Sequence, residues 1–495
     1  MALINYKLVL LIDSLSEDEL DKFRKFVSSP YYNKGRNYLP LLDKVIEFRN
    51  NNLNETDKKN DENFRVKNIG KKLSDQTLRN RYSELYKLGE EFLVSLWIND
   101  NRLEKEKILL SKLMEKRLLS PYMINFKETL KFAESEKFYP EKLKKLSEIK
   151  EIHSHYLMLK NKEEELYKEY YEYSKYFFCY NLINLIELGF EFFQQAINKR
   201  TYHPNYVTEY LKTMDIENLI SELRDSDNLM FRMTAMNYYL YKAYIDEKNE
   251  EDYIMSHKIF SEHFDEIEKK YKIKFFTIMI NYCISKLNAG NPKYKYELFK
   301  LYNEKLSQNL TEDLRSNSYT FNHFRDFVYI GIAIKNFEWV ENFIEKYSKL
   351  LPPDLREDEI KISYAKLDFE KKLYERSLSN LKKIKTSHYL LYIDTSLFKL
   401  CNYYELDEFE ESYLEMDKLK HYFRNNKHIP KSQSLNYLNF VKFYKKLMKL
   451  KTEPEKSDSG FLERELKDIK FIANRKWLLK KISEMKSRKD KQVYS

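Results

Sequence analysis

The sequence predicts an all-α protein: an α-solenoid of stacked helical hairpins following an N-terminal helical region. Three observations carry that expectation. Glycine is scarce, seven in 495 residues, with only ten prolines. All-β and nucleotide-binding α/β folds need many tight turns, and glycine supplies most of them. Apolar residues recur at three- and four-residue spacing through long windows, the period of a helix with one packed face. A short aromatic-led segment then returns at nearly constant spacing in the second half of the chain.

The N-terminal elements follow in order. Ser16-Glu17-Asp18-Glu19 is a capping box, in which the Ser16 hydroxyl and the Glu19 carboxylate serve each other's backbone N–H groups. Leu15 and Leu20 flank it as a hydrophobic staple. Leu20, Phe23, Phe26 and Val27 continue at helical spacing until Ser29-Pro30 stops the run. A second helix is expected over Tyr38 to Phe48, and the polar stretch Asn50 to Asn63 reads as a loop. Leu78, Tyr82, Leu85, Leu88, Phe92 and Leu96 predict one long helix starting near Asp75.

Further helices are expected over Leu103 to Leu119, after Pro121 to Phe138, and after Pro140 into the Tyr-rich segment Tyr167 to Tyr180. Ser120-Pro121 and Tyr139-Pro140 punctuate them. An apolar helix around Leu182 to Ile197 precedes a break at His203-Pro204. Within the Tyr-rich segment, Tyr170, Tyr173, Phe177 and Tyr180 are expected to form one packed face.

The repeat lies between Tyr253 and Met416. Phe337 to Ile344, Tyr374 to Leu381 and Phe409 to Met416 each read aromatic, Glu, a free position, a residue of modest size, three more positions, then an aliphatic. The leading aromatics are 37 and 35 residues apart. Looser copies begin at Tyr253, with Ser256 and Phe260, and at Tyr294, ending at Leu301. Each clear copy follows an apolar helical stretch: Phe321 to Ile334, Ile360 to Phe369, and Tyr389 to Tyr404. The expected unit is a helix, a short turn, and a second helix opened by the aromatic. The modest residue lets the two helices approach, and the aliphatic packs between them. One hairpin cannot bury its apolar face alone, so neighbours stack.

These segments resemble degenerate tetratricopeptide repeats, whose second helix opens with an aromatic followed by acidic residues and a small residue. Leu351-Pro352 stands where that repeat places its closing proline. Val340, Ser377 and Ser412 replace the usual Ala, the later copies lack the Pro, and the spacing exceeds the standard period of about 34 residues. The whole chain is also similar to a group of uncharacterised bacterial helical-repeat proteins. The resembling features are Ser29-Pro30-Tyr31-Tyr32-Asn33-Lys34, Leu78-Arg79-Asn80-Arg81-Tyr82-Ser83-Glu84-Leu85, the repeat block, and Lys476-Trp477-Leu478-Leu479-Lys480-Lys481-Ile482. That group has no established activity, so the resemblance implies a fold and not a function.

The chain divides, on this reading, into an N-terminal helical region (1–120), a long-helix Tyr-rich middle (121–230) and the repeats (231–450). The linker TEPEKSDSG marks 451–460, and a capping helix occupies 461–488, with a basic tail to 495. That last helix is expected to run unbroken from about Phe461 to Met485.

Composition bounds function. The net charge is +10, from 88 basic and 78 acidic residues, which over this length fits a solvated surface. Cys179, Cys283 and Cys401 form no CxxC pair and no disulfide ladder, which fits a reducing compartment. The apolar run Leu8 to Ile12 is too short for a signal sequence, and no window reaches the ~20 apolar residues that cross a bilayer. No membrane insertion and a cytoplasmic location are therefore expected. No GxGxxG or GxxxxGK[ST] exists, and none of the nine histidines stands in HExxH or a Cys/His finger. His153 and His155 would point about 200° apart on a helix. The acidic runs Glu163-Glu164-Glu165 and Glu250-Glu251-Asp252 read as solvated helix faces. No catalytic, cofactor-binding or metal-binding residue is assigned, and the protein is not expected to be an enzyme.

The functional expectation is a non-catalytic protein–protein interaction scaffold. The alternative is a nucleic-acid-associated protein using the segment 69–88 and the basic C-terminal tail. Lys71, Lys72, Thr77, Arg79 and Arg81 in that segment resemble the turn and recognition helix of winged-helix proteins. Its turn is about two residues short, and its second helix continues where a β-wing should begin.

Overall fold

The computed structural model describes residues 6–52, 75–199, 204–214, 217–246, 250–311, 323–386, 388–426, 429, 431–453, 458–469 and 471–493. Among them the structure is all-α, with 24 α-helices, short 3-10 turns at Phe264–Glu266 and Ser348–Leu350, and no strand beyond one isolated bridge. The chain forms two compact units, Met1–Glu268 and Lys269–Ser495. No helix of the described residues is long and apolar enough to cross a membrane.

The first unit opens with α1 (Tyr6–Ser14), α2 (Glu17–Ser28), the single turn α3 (Pro30–Asn33), α4 (Leu39–Asn52) and α5 (Asp75–Asp100). The capping box forms as expected: the Glu19 amide donates to the Ser16 hydroxyl at 3.3 Å and the Ser16 amide to the Glu19 carboxylate at 2.7 Å. Leu15, Leu20, Phe23 and Val27 join Leu42, Leu78, Tyr82 and Leu85 in one core. Helix α4 runs to Asn52, through the start of the expected loop, whose remainder lies outside the described residues.

Next come α6 (Arg102–Glu115), α7 (Leu119–Ser135), α8 (Pro140–Leu159) and α9 (Glu163–Lys199). Helix α7 begins before Pro121. The proline sits in the first turn, where its missing N–H breaks no helical hydrogen bond. The run expected to continue from Pro140 into the Tyr-rich segment is interrupted instead. Asn161 takes a left-handed conformation (φ 53°), and the Lys162 and Asn161 amides donate back to the Leu157 and Met158 carbonyls at 3.0 and 3.1 Å. This paired closure ends α8. Helix α9 then carries 37 residues without a break, absorbing the helix expected over Leu182 to Ile197. His203 lies outside the described residues.

The unit closes with α10 (Tyr206–Thr213), α11 (Glu217–Asp225), α12 (Leu229–Ile245) and α13 (Glu251–Glu262). Helix α12 is enclosed almost all round, since Met233 to Tyr241 are buried without exception. That is the position of a helix apolar on every side. A backbone bridge ties Phe138 to the segment after α13, with the Phe138 amide donating to Glu266 and the Glu268 amide to Phe138.

The second unit comprises α14 (Lys269–Asn288), α15 (Tyr294–Ser307), α16 (His323–Ala333), α17 (Phe337–Tyr347), α18 (Pro353–Glu370), α19 (Tyr374–Lys382), α20 (Tyr389–Glu405), α21 (Phe409–Asn425), α22 (Lys431–Thr452), α23 (Ser459–Asp468) and α24 (Arg475–Val493). The aromatics of the sequence register are the first residues of their helices: Tyr294, Phe337, Tyr374 and Phe409 open α15, α17, α19 and α21. In the first unit, Tyr253 is the third residue of α13. Each of these helices packs against the one before it.

The modest residues are buried where the helices meet. Ser256 donates to the Met236 carbonyl of α12 at 2.8 Å, and Ser377 donates to the Ala365 carbonyl of α18 at 2.7 Å. In both hairpins the small hydroxyl brings two helix backbones together and bonds across them. Ser412 instead bonds the Tyr444 hydroxyl of α22 at 2.8 Å. In the α16/α17 hairpin the close approach comes from the other side: a Cβ on Gly331 would lie 2.5 Å from Val340. The aliphatics Leu301, Ile344, Leu381 and Met416 are all buried.

The turns resolve how so few glycines suffice. Lys335, Lys372 and Asp407 all adopt left-handed backbone (φ 62°, 62° and 60°), each two residues ahead of its helix-opening aromatic. The next residue's amide reaches back to close the preceding helix: Asn336 to Gly331, Leu373 to Asp368, Glu408 to Tyr403. Ordinary side chains thus occupy a position that favours glycine.

The C-terminal helix is two helices. Asn474 is left-handed (φ 49°), and the Arg475 guanidinium donates to the Leu466 and Lys467 carbonyls at 2.7 and 3.1 Å, capping α23. Helix α24 packs on α22 and α23, and the Trp477 ring meets Tyr404 edge-on at 5.4 Å.

Candidate interaction surfaces

The basic segment sits on α5. Leu78, Tyr82, Leu85, Leu88 and Phe92 form the buried face of that helix, which packs on α1 and α2. Arg36 and the Tyr38 hydroxyl both donate to the Glu84 carboxylate at 2.6 Å, holding its pKa below the usual range. Of the five assigned residues, Lys71 and Lys72 lie outside the described residues. Thr77 and Arg79 are exposed and Arg81 is half-buried. A four-residue step brings Thr77 and Arg81 to one side, while Arg79 stands about 160° around the axis from Arg81. Helix α5 continues to Asp100, and α6 follows at Arg102.

Among the groups with reactive chemistry, the cysteines and His153 are interior. The three cysteines are buried, and burial pushes the Cys179 thiol up to about 11 and the Cys401 thiol higher. His153 is buried too, stacked 3.8 Å from the Phe126 ring, with the Tyr122 hydroxyl 3.2 Å from its Nδ1. Burial lowers its pKa to about 4. His155 is exposed, on the far side of α8 as the spacing required. Among the described residues no three His, Cys, Asp or Glu side chains converge to hold a metal ion.

Charge is also buried between hairpins. Arg325 of α16 makes a two-pronged contact with Glu359 of α18, at 2.7 and 2.6 Å, and reaches Asp394 of α20 at 3.5 Å. Glu359 is fully enclosed. Asp368, also enclosed, accepts from Arg376 at 2.8 Å and from Asn380 at 3.3 Å. The first network escaped the sequence reading, although its members are 34 and 35 residues apart and so follow the repeat spacing. These ions fix register between successive elements, and the carboxylates of Glu359 and Asp368 are enclosed within them.

Among the described residues, two open surfaces combine aromatic and aliphatic side chains. One is a groove of about 560 Å³ where α21 lies over α20. Tyr392 and Tyr422 stack at 4.2 Å on its floor, and Leu414, more than half exposed, stands at its edge. Asp417, Lys418 and His421 supply a rim of mixed charge. The second is the outer side of α9. Of the four residues expected on one packed face, Tyr170 and Phe177 are 46% and 51% exposed, while Tyr173 and Tyr180 are half-buried. The packed face runs instead through Glu169, Cys179, Ile183, Ile186 and Phe190. Both sides of α9 have an apolar pattern, and α8 and α12 cover the one rich in aliphatics. Comparison with protein-family models, with curated proteins and with solved structures finds no match for this chain.

Proposed function

We propose that this protein is a non-catalytic interaction scaffold, in which the hairpins between residues 231 and 450 stack as an α-solenoid of degenerate tetratricopeptide-like repeats. The observation that carries the reading is the groove along α20 and α21: an aromatic floor, an exposed aliphatic edge and a rim of both charge signs. An amphipathic helix from a protein partner matches that combination, placing its apolar side on Tyr392 and Tyr422 and its polar side toward the rim. Surface complementarity on a rigid support then does the work, without bond chemistry.

The test is cross-linking capture from the native cell with an amine-reactive reagent, followed by mapping of the linked lysines. Links from a defined protein to Lys418 and Lys420, lost in a Leu414→Glu variant, are the expected result. Links that avoid α21, or that survive Leu414→Glu unchanged, refute the groove as the docking site.

A further inference from the structure

The positive charge of this chain is concentrated near its end. Residues 418–491 hold 22 Lys and Arg against 8 Asp and Glu, an excess of 14, while the rest of the chain is net negative by 4. Helix α22 runs through that region and packs on α21, α23 and α24. Its outward strip is Leu435, Leu438, Lys442, Lys445 and Lys449, at alternating steps of three and four residues. That is the spacing of a seam that one helix presents to another, here about 21 Å long.

The strip has two halves. Leu435 and Leu438, at its start, are 49% and 39% exposed. In the second half Lys442 and Lys449 are exposed and Lys445 is half-buried. Acid does not balance these lysines. Lys442, at 3.4 Å, and Lys446 both donate to the single Glu465 carboxylate of α23. Lys420 of α21 donates to Asp417 at 3.1 Å, and the Lys445 ammonium faces that of Lys420, beside the Tyr413 ring. The Lys449 ammonium has no partner among the described residues. Five ammonium groups therefore meet two carboxylates. Two cations set face to face disfavour each other's charge, and a carboxylate from outside removes that cost.

We propose that the outward strip of α22 docks an acidic amphipathic helix of a partner protein. The partner helix runs antiparallel to α22, with Asp or Glu of its first turns over Lys442, Lys445 and Lys449 and aliphatic side chains beyond them over Leu435 and Leu438. Charge complementarity selects the chemistry, and the step of three and four residues selects a helix. The helix dipole selects the direction. Carboxylates stabilise a helix at its N-terminus, and only the antiparallel direction brings that end to the lysines. A phosphate backbone would satisfy the lysines and leave the two leucines uncovered. No residue lining the α20–α21 groove belongs to α22, so this site goes beyond that one and does not depend on it.

Fluorescence anisotropy tests this with the full chain and a labelled helical peptide of about 18 residues. The peptide carries three Glu and then two Leu at steps of four, three, four and three residues, with Ala and Gln elsewhere. Saturable binding is expected, about tenfold tighter than that of a peptide with Lys in place of each Glu. Lys445→Glu with Lys449→Glu should reverse that preference, and Leu435→Ala with Leu438→Ala should weaken the acidic peptide about tenfold. Leu414→Glu should leave the binding unchanged, which separates this site from the groove. Thermal unfolding controls for folding: in Lys445→Glu the new carboxylate gains Lys420 as a partner, so Tm should not fall. Absent binding overturns the proposal, as does a preference that the charge exchange leaves unreversed. Tighter binding of a DNA duplex or of phosphatidylserine vesicles through Lys445 and Lys449 overturns it in favour of those partners. A lower Tm in Lys445→Glu makes that lysine structural and overturns it too.

Discussion

Breaking the buried Arg325–Glu359 pair tests the packing of the second unit most sharply. Removing one member of an enclosed, two-pronged ion pair costs about 3–5 kcal/mol, because the other charge stays buried without its partner. The two ends of the pair are not equivalent. Without Glu359, Arg325 still has Asp394 at 3.5 Å, and the Asp394 side chain is 39% exposed. Glu359→Gln should therefore cost about 3 kcal/mol, the lower end. Arg325→Met leaves a fully enclosed carboxylate without its guanidinium, and should cost about 5 kcal/mol.

Replacing both, as Arg325→Met with Glu359→Leu, removes the desolvation penalty along with the attraction and should restore near wild-type stability. Urea unfolding reads the effect in a Trp97→Phe background, where the remaining Trp339 and Trp477 both report on the second unit. At a slope of about 3 kcal/mol per molar, the single variants should lower the midpoint by about 1 M and about 1.7 M. Single variants within 1 kcal/mol of wild type refute the reasoning. So does a double variant as unstable as the sum of its parts.

Other consequences are smaller. Lys372→Gly should raise stability by about 0.5–1 kcal/mol and Lys335→Gly by a similar amount, because both lysines hold left-handed backbone that glycine adopts freely. Thermal unfolding should show a rise of roughly 2–3 °C for each. Gly331→Ala should destabilise by about 2 kcal/mol, since the added methyl overlaps Val340 and the Trp339 ring. A urea midpoint equal to wild type would place the two helices further apart than the structure does. His153 has a folded pKa of about 4 against 6.5 when unperturbed. The unfolded chain takes up that proton first, so the contribution is fully present above about pH 6.5 and is lost as pH falls toward 4. His153→Phe keeps the stack on Phe126 and should flatten the loss of stability between pH 7 and 5. An equal loss in the variant would assign the acid sensitivity to other groups.

Much of the fold was legible because its signals are local. The Ser16–Glu19 box starts α2, and Phe337, Tyr374 and Phe409 start the helices they were expected to open. Ser377 and Val340 could be read as contact positions because a small residue one turn into a helix has few other uses. The turns were not legible. Lys335, Lys372 and Asp407 carry no mark of left-handed backbone, and Asn161 between α8 and α9 looks like any polar residue on a charged helix. The split of the last helix depends on Arg475 reaching carbonyls six to nine positions back, a contact that periodicity does not encode.

The candidate surfaces were harder still. Helix α9 has two apolar sides, so spacing alone could not decide which one α8 covers, and Tyr170 and Phe177 were assigned inward. The α20–α21 groove depends on Tyr392 and Tyr422, 30 residues apart, coming face to face. Of the basic segment, the sequence shows composition, but the helix puts Arg79 and Arg81 on different sides. The same bases that suggested one binding strip therefore do not line up as one.

Salt titration of what the intact chain captures from its native cell tests the scaffold reading most directly. Contacts built on apolar burial in a groove are little affected by ionic strength, whereas binding to phosphate backbones weakens steeply with added salt. The scaffold reading predicts a defined protein retained between about 0.1 and 0.5 M salt. Recovery of nucleic acid alone, lost steeply over that range, would contradict it.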